Sequence, residues 1–130
     1  MVEKRQLTAL SDFRYRLARF LRFSERAARG AGLTPTQYLL LLHIGGTPGR
    51  RRATVGELAE RLQASPHGTA ALVARCVARG LVSKRRRASD ARIVDVGLTR
   101  AGARRMARVA VRHRDELQSL GDVVRVAHVG

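Results

Sequence analysis

The chain has 130 residues, enough for one domain with a small core and short for two. It carries 26 lysines and arginines against 10 acids, a formal charge of +16; arginine-rich proteomes raise every surface's count, but the remaining excess favours a polyanionic partner. A single cysteine excludes an internal disulfide framework and a thiolate metal cage and suits a reducing cytoplasm, and no apolar run approaches the roughly 20 residues of a membrane span or forms a signal-peptide core.

From about Arg5 to Arg29, residues Leu10, Phe13, Leu17, Phe20, Leu21 and Ala28 recur at helical spacing with arginines between them, which predicts an amphipathic first helix. Phe13, Phe20 and Phe23 are the chain's three phenylalanines, more than one helix needs to seal a small core. That face is read either as a partner surface or as packing for the chain's own last helix. Gly30 and Gly32 close it. Thr34, Pro35 and Gln37 supply a cap, a proline at the first helical position and a capping box. Tyr38, Leu41, Leu42 and Ile44 then give the second helix its buried face, closed by Gly45 and Gly46. Arg50 to Arg52 follow in a turn, expected to be solvated or to touch phosphate, ahead of a short strand that pairs with a later hairpin.

Thr54 and Glu57 form another capping box, so a short helix runs from Val55 to about Leu62 with Leu58, Ala59 and Leu62 inward. Gln63 and Ala64 make a turn, and Ser65-Pro66 starts the next helix. Its buried face holds Thr69, Leu72, Val73, Cys76 and Val77, and Gly80 ends it. Two helices joined by so short a turn predict a helix-turn-helix. Its second helix would lead into a DNA major groove with Ser65, His67, Gly68, Thr69 and Ala71, while Arg75 and Arg79, later in the helix, would meet phosphate or solvent. Leu81 to Lys84 and Arg92 to Leu98 read as the strands of a hairpin. Between them Lys84, Arg85, Arg86, Arg87, Ala88, Ser89 and Asp90 read as a protruding basic loop, suited to a phosphate backbone or a minor groove. Thr99 caps a last helix whose stripe is Met106, Val109, Ala110, His113, Leu117 and Leu120.

The stretch from Ser65, the Gly80 to Val82 turn, the Asp90-Ala91-Arg92 triplet and Leu98-Thr99 followed by Ala101-Gly102 resemble the DNA-binding core of MarR-type (multiple-antibiotic-resistance-regulator) transcription factors. The resemblance spans about residues 33 to 118. It implies a mainly α fold with a small β-hairpin wing, a winged helix-turn-helix flanked by N- and C-terminal dimerisation helices. The corresponding divisions are 1–32, 33–98 and 99–130, the last including a tail from Leu120 to Gly130 that is shorter than the family's final helix. It further implies that Arg92 reaches the minor groove while Asp90 holds the turn. Leu10, Phe13, Leu17, Phe20, Val109, His113 and Leu117 would join two copies into a homodimer. Family members often bind small aromatic molecules between the dimer helices and the DNA-binding lobe; Phe13, Phe20, Tyr38 and His43 would line such a site or belong to the core. One departure stands out. Ala70, Ala71 and Ala74 occupy positions where members commonly carry polar or charged side chains, and alanines offer no hydrogen bond to a base edge.

Nothing in the sequence argues for catalysis, a cofactor or a metal: His43, His67, His113 and His128 are scattered, and no phosphate-binding glycine loop is present. Cys76 falls on an inward helix face, where a thiol behaves as a small hydrophobe. The expected function is that of a cytoplasmic, homodimeric regulator of transcription, a repressor, binding a pseudo-palindromic site in double-stranded DNA, with a small aromatic effector as a further partner and no membrane. The competing reading is an architectural protein that coats DNA or RNA with little sequence preference.

Overall fold

The computed structural model describes residues 1–118 and Gly121. Leu120, His128 and the tail from Asp122 to Gly130, with the expectations placed on them, lie outside the described residues. The elements are α1 (Lys4–Gly30), α2 (Pro35–Gly45), β1 (Arg52–Thr54), α3 (Val55–Leu62), α4 (Pro66–Ala78), β2 (Val82–Arg87), β3 (Asp90–Leu98) and α5 (Arg100–Ala110), the last followed by a 3₁₀ turn over Val111–His113. This is a mainly helical winged helix-turn-helix.

Local chemistry accounts for most of the boundaries. Thr34 accepts the Gln37 N–H at 3.1 Å while the Gln37 side chain accepts the Thr34 N–H at 3.1 Å, and Thr54 and Glu57 repeat this exchange at 3.1 and 2.9 Å. Ser65 and Thr99 cap α4 and α5 by accepting the N–H of Gly68 and Gly102, each at 3.0 Å. Gln63, in the left-handed region at φ 52°, turns the chain between α3 and α4.

The core lies beneath α2. Leu40, Leu41 and Ile44 are fully buried and pack with Leu58, Leu72, Val73, Cys76, Leu81, Val96 and Val109. Burial of each large aliphatic side chain stabilises the fold by roughly 1.5–3 kcal/mol. A three-stranded antiparallel sheet of order β1-β3-β2 closes one side. Its register pairs Ala53 and Lys84 with Val96, and of these Ala53 and Val96 are buried while Lys84 is exposed; Arg52 and Ser83 pair with Gly97, and Thr54 and Arg85 with Asp95, on the outer face. The α1 helix is about 40 Å long by its residue count, yet its buried residues are Ala27 and Ala28 alone. Along it Leu7, Leu10, Tyr15 and Leu21 are exposed.

The wing differs from the sequence expectation. The basic run is not a loop: Lys84, Arg85, Arg86 and Arg87 are strand residues of β2, and the turn at the tip is Ala88-Ser89. The pairing runs on through Arg86↔Val94, with an irregularity before Arg87↔Asp90. Continuing the ladder satisfies backbone groups that a loop would leave to water; alternation sends Arg85 and Arg87 to the outer face, while Lys84 and Arg86 on the other face stay exposed.

Candidate nucleic-acid interface

The cap on Ser65 holds the N-terminus of α4 in the open, with Ser65, His67, Gly68, Ala70, Ala71, Ala74 and Arg75 all exposed. Thr69 does not join them. It is only 1% exposed, and its Oγ1 donates to the Ser65 carbonyl at 2.8 Å, so the side chain expected to read bases is spent inside the helix turn. The inward spacing with Leu72, Val73 and Cys76 carried that signal already. Burial pushes the Cys76 thiol pKa up, against the lowering effect of Arg79 and Arg75, which keeps it in the unreactive thiol form. Arg79 is tethered, its Nη1 donating to the Gln37 side-chain oxygen at 2.8 Å.

At the wing tip the Asp90 carboxylate accepts from the Arg92 backbone N–H at 3.0 Å and from its Nε and Nη2 at 3.1 and 3.2 Å. Those bonds to Arg92 hold the Asp90 carboxyl below the usual carboxylate range. The Arg92 side chain stays 91% exposed, so it is oriented without being sequestered. Arg86 spans the turn by donating from Nη1 to the Ala91 carbonyl at 2.8 Å. Arg87 makes a forked pair with Asp95 at 2.8 and 3.1 Å, and that pair depresses the Asp95 pKa. Sequence reading missed Asp95, because only the register of β2 against β3 sets an acid opposite the basic run. Lys84 and Arg85 are exposed.

Residues 31–93 match the model of the MarR family, and this span contains α2 to α4, β2 and the wing tip. The winged-helix core is similar to that of the MarR family. Among curated proteins no relative is found. Solved structures share the fold. AbsC, a MarR family transcriptional regulator from Streptomyces coelicolor, is 19% identical with a TM-score of 0.79, covering 99% of this chain and 91% of its own. A MarR family protein from Bacillus stearothermophilus is 23% identical with a TM-score of 0.75 over 92% of this chain and 82% of its own. A mutant of MepR from S. aureus, bound to an oligodeoxyribonucleotide, is 18% identical with a TM-score of 0.69 over 85% and 79%.

Two expectations attached to the MarR resemblance need correcting. Of the residues assigned to a dimer surface, Val109 is fully buried and His113 is 8% exposed, both inside this chain's own core. His113 donates from Nδ1 to the Val109 carbonyl at 2.8 Å and sits among Tyr38, stacked at 5.8 Å, and the edges of Phe20 and Phe23 at 5.6 and 5.3 Å. Leu10 and Leu117 remain open at 58% and 62% exposure, with Phe13, Leu17 and Phe20 half-buried. The residues suggested for an effector pocket also fail to converge. Tyr38 and Phe20 close around His113, whereas His43 lines a cleft of about 220 Å³ with Leu42, Pro48, Leu58 and Arg61. Five residues apart on α2, Tyr38 and His43 point to nearly opposite sides. Burial and the nearby Arg61 lower the His43 pKa, and burial raises that of Tyr38. No helix among the described residues is long and apolar enough to cross a membrane.

Proposed function

We propose that the chain is a homodimeric, DNA-binding regulator of transcription, a repressor, which inserts residues 66–79 into a major groove and the wing, residues 84–92, into the adjacent minor groove of a pseudo-palindromic site. The observation that carries this reading is the open, serine-capped N-terminus of α4 beside a hairpin tipped by a clasped yet exposed arginine. A helix N-terminus and a cationic finger meet the two features of B-DNA that such folds read. The bare apolar side chains of α1, Leu7, Leu10 and Leu21, support a second copy of the chain as the partner, since two subunits set their recognition helices about one DNA turn apart.

One observation favours a second reading. With Thr69 buried and alanine at 70, 71 and 74, the exposed face of α4 offers His67 for direct readout and little else, Arg75 lying later in the helix where phosphate is the partner. A protein so equipped binds by shape and charge and discriminates weakly. Selection from a random duplex pool at near-physiological salt, followed by competition with bulk DNA, separates the two. An enriched inverted repeat with half-sites about 10 bp apart supports the operator-binding dimer. Tight, salt-sensitive binding without enrichment supports the architectural reading.

A further inference from the structure

Away from the wing tip, the outer face of the sheet gathers five arginines. Arg50, Arg51, Arg52, Arg85 and Arg87 line an open depression of about 370 Å³ around Asp95. Two of them are neutralised: Arg87 by Asp95, and Arg50 by Glu57 on α3. Arg51, Arg52 and Arg85 have no acidic partner among the described residues. Asp95 feels Arg85 and Arg52 as well as Arg87, since all three depress its pKa, so one carboxylate is shared by a surplus of cations.

The register explains the convergence. Arg52 and Gly97 are cross-strand partners on the outer face, and Arg85 and Asp95 are partners on that same face. The missing side chain of Gly97 is part of the arrangement: a Cβ there would stand 3.1 Å from Cγ, Cζ and Nη1 of Arg52, tighter than ordinary packing. Arg52 therefore lies against bare strand backbone, its Nη1 buried without a hydrogen-bond partner. A guanidinium fixed in this way has already lost much of the rotamer freedom that anion binding would otherwise cost. Unpaired guanidiniums held together also repel one another, a cost that a bound oxyanion removes.

We infer that the outer face of the sheet, through Arg51, Arg52 and Arg85 with Arg87 and Asp95 framing them, is a binding site for a phosphate-type oxyanion of two or more charges. The centre of the site stands roughly 16 Å along the strand from Asp90, counting about 3.3 Å per residue from Asp90 to Asp95. It shares Arg85 and Arg87 with the wing strand but is centred on Asp95, below the tip where Arg92 stands. A phosphate can reach it as a free phosphorylated molecule or as the backbone of flanking DNA; only the second source rests on the function proposed above.

Calorimetric titration of the full chain with pyrophosphate at near-physiological salt tests the site. Saturable binding is expected, weakened roughly tenfold or more in Arg52→Ala, which loses a forked donor. Gly97→Val, which keeps every charge but displaces Arg52, should weaken it as well. Arg104→Ala removes an exposed charge on α5 that does not line the depression and should change affinity by less than about twofold. Thermal melting of each variant confirms folding. A second arm measures duplex DNA. If pyrophosphate does not saturate the protein, but Arg52→Ala lowers DNA affinity uniformly across sequences and reduces the salt slope by about 0.9, the site stands with DNA as its source of phosphate. Equal losses in Arg52→Ala and Arg104→Ala, or no effect of Arg52→Ala on either ligand, overturns it. A parent chain that binds pyrophosphate but no DNA would refute the proposed function and leave the oxyanion site intact.

Discussion

Asp90 grips Arg92 three times, through its backbone N–H and both ends of its guanidinium, while leaving the arginine almost wholly in solvent. The acid thus sets the direction of the cation without neutralising it by burial. Arg92→Ala is expected to cost about 1–3 kcal/mol of DNA affinity, by analogy with other groove contacts. Asp90→Ala keeps the cation but frees it, and should cost less. Quantitative gel-shift titrations check both, and an Arg92→Ala protein with parental affinity would remove the wing from the interface.

Glu57 makes the stability of the α3 end of the fold depend on acid. Its side chain accepts from Arg50 and from the Thr54 N–H, and these bonds lower its pKa from 4.5 to about 2. A depressed carboxylate pKa means that the contribution is complete above pH 4.5 and is lost as the pH falls toward about 2. The pair is partly exposed, so the expected size is roughly 1 kcal/mol or less. Melting curves across that window should converge for the parent and Glu57→Gln at the acid end and separate above it. A constant gap at every pH would assign the effect to something other than ionisation.

Gly102 in the first turn of α5 meets the backbone of Leu81 where β2 begins. A Cβ at this position would fall inside the Leu81 carbonyl group, 2.9 Å from its carbon. Thr99 ties the same junction together, its N–H donating to the Leu81 carbonyl at 3.1 Å and its hydroxyl to that of Gly80. Because backbone rather than a movable side chain stands in the way, Gly102→Ala should cost at least about 3 kcal/mol, the upper end of overpacking effects. Urea unfolding measures this. A variant as stable as the parent would show that α5 can shift cheaply against the sheet.

His113 and Leu117, one helical turn apart, were both expected at a dimer surface and should behave oppositely. Removing the buried imidazole in His113→Ala empties the space among Tyr38, Phe20 and Phe23, and should cost about 2–4 kcal/mol whatever the protein concentration. Leu117→Ala, at an exposed position, should leave subunit stability within about 0.5 kcal/mol while raising the dimer dissociation constant. Chemical unfolding at several concentrations, with analytical ultracentrifugation, distinguishes them. A stable His113→Ala protein that has become monomeric would return this residue to the interface.

Four of the helices could be placed from sequence because their starts are local events. Thr34 with Gln37, Thr54 with Glu57, Ser65 with Pro66 and Thr99 with Gly102 act within three residues of one another, and no distant contact is needed to make those bonds favourable. Inward faces repeating every three or four residues were legible for the same reason. Strand partners are another matter. Whether Arg85 and Arg87 stand in a loop or on a ladder, and whether they meet Asp95, depends on a register between segments eight to ten residues apart, which side-chain period alone leaves open. Arg52 reaches the same place from more than thirty residues upstream, and Gly97 reveals its use only when Arg52 lies over it. Likewise, helical period put His113 on the apolar face of its segment but could not say which helices would cover that face. Phe20, Phe23 and Tyr38 of α1 and α2 do so, and only the closing of the chain on itself turned a candidate partner surface into core.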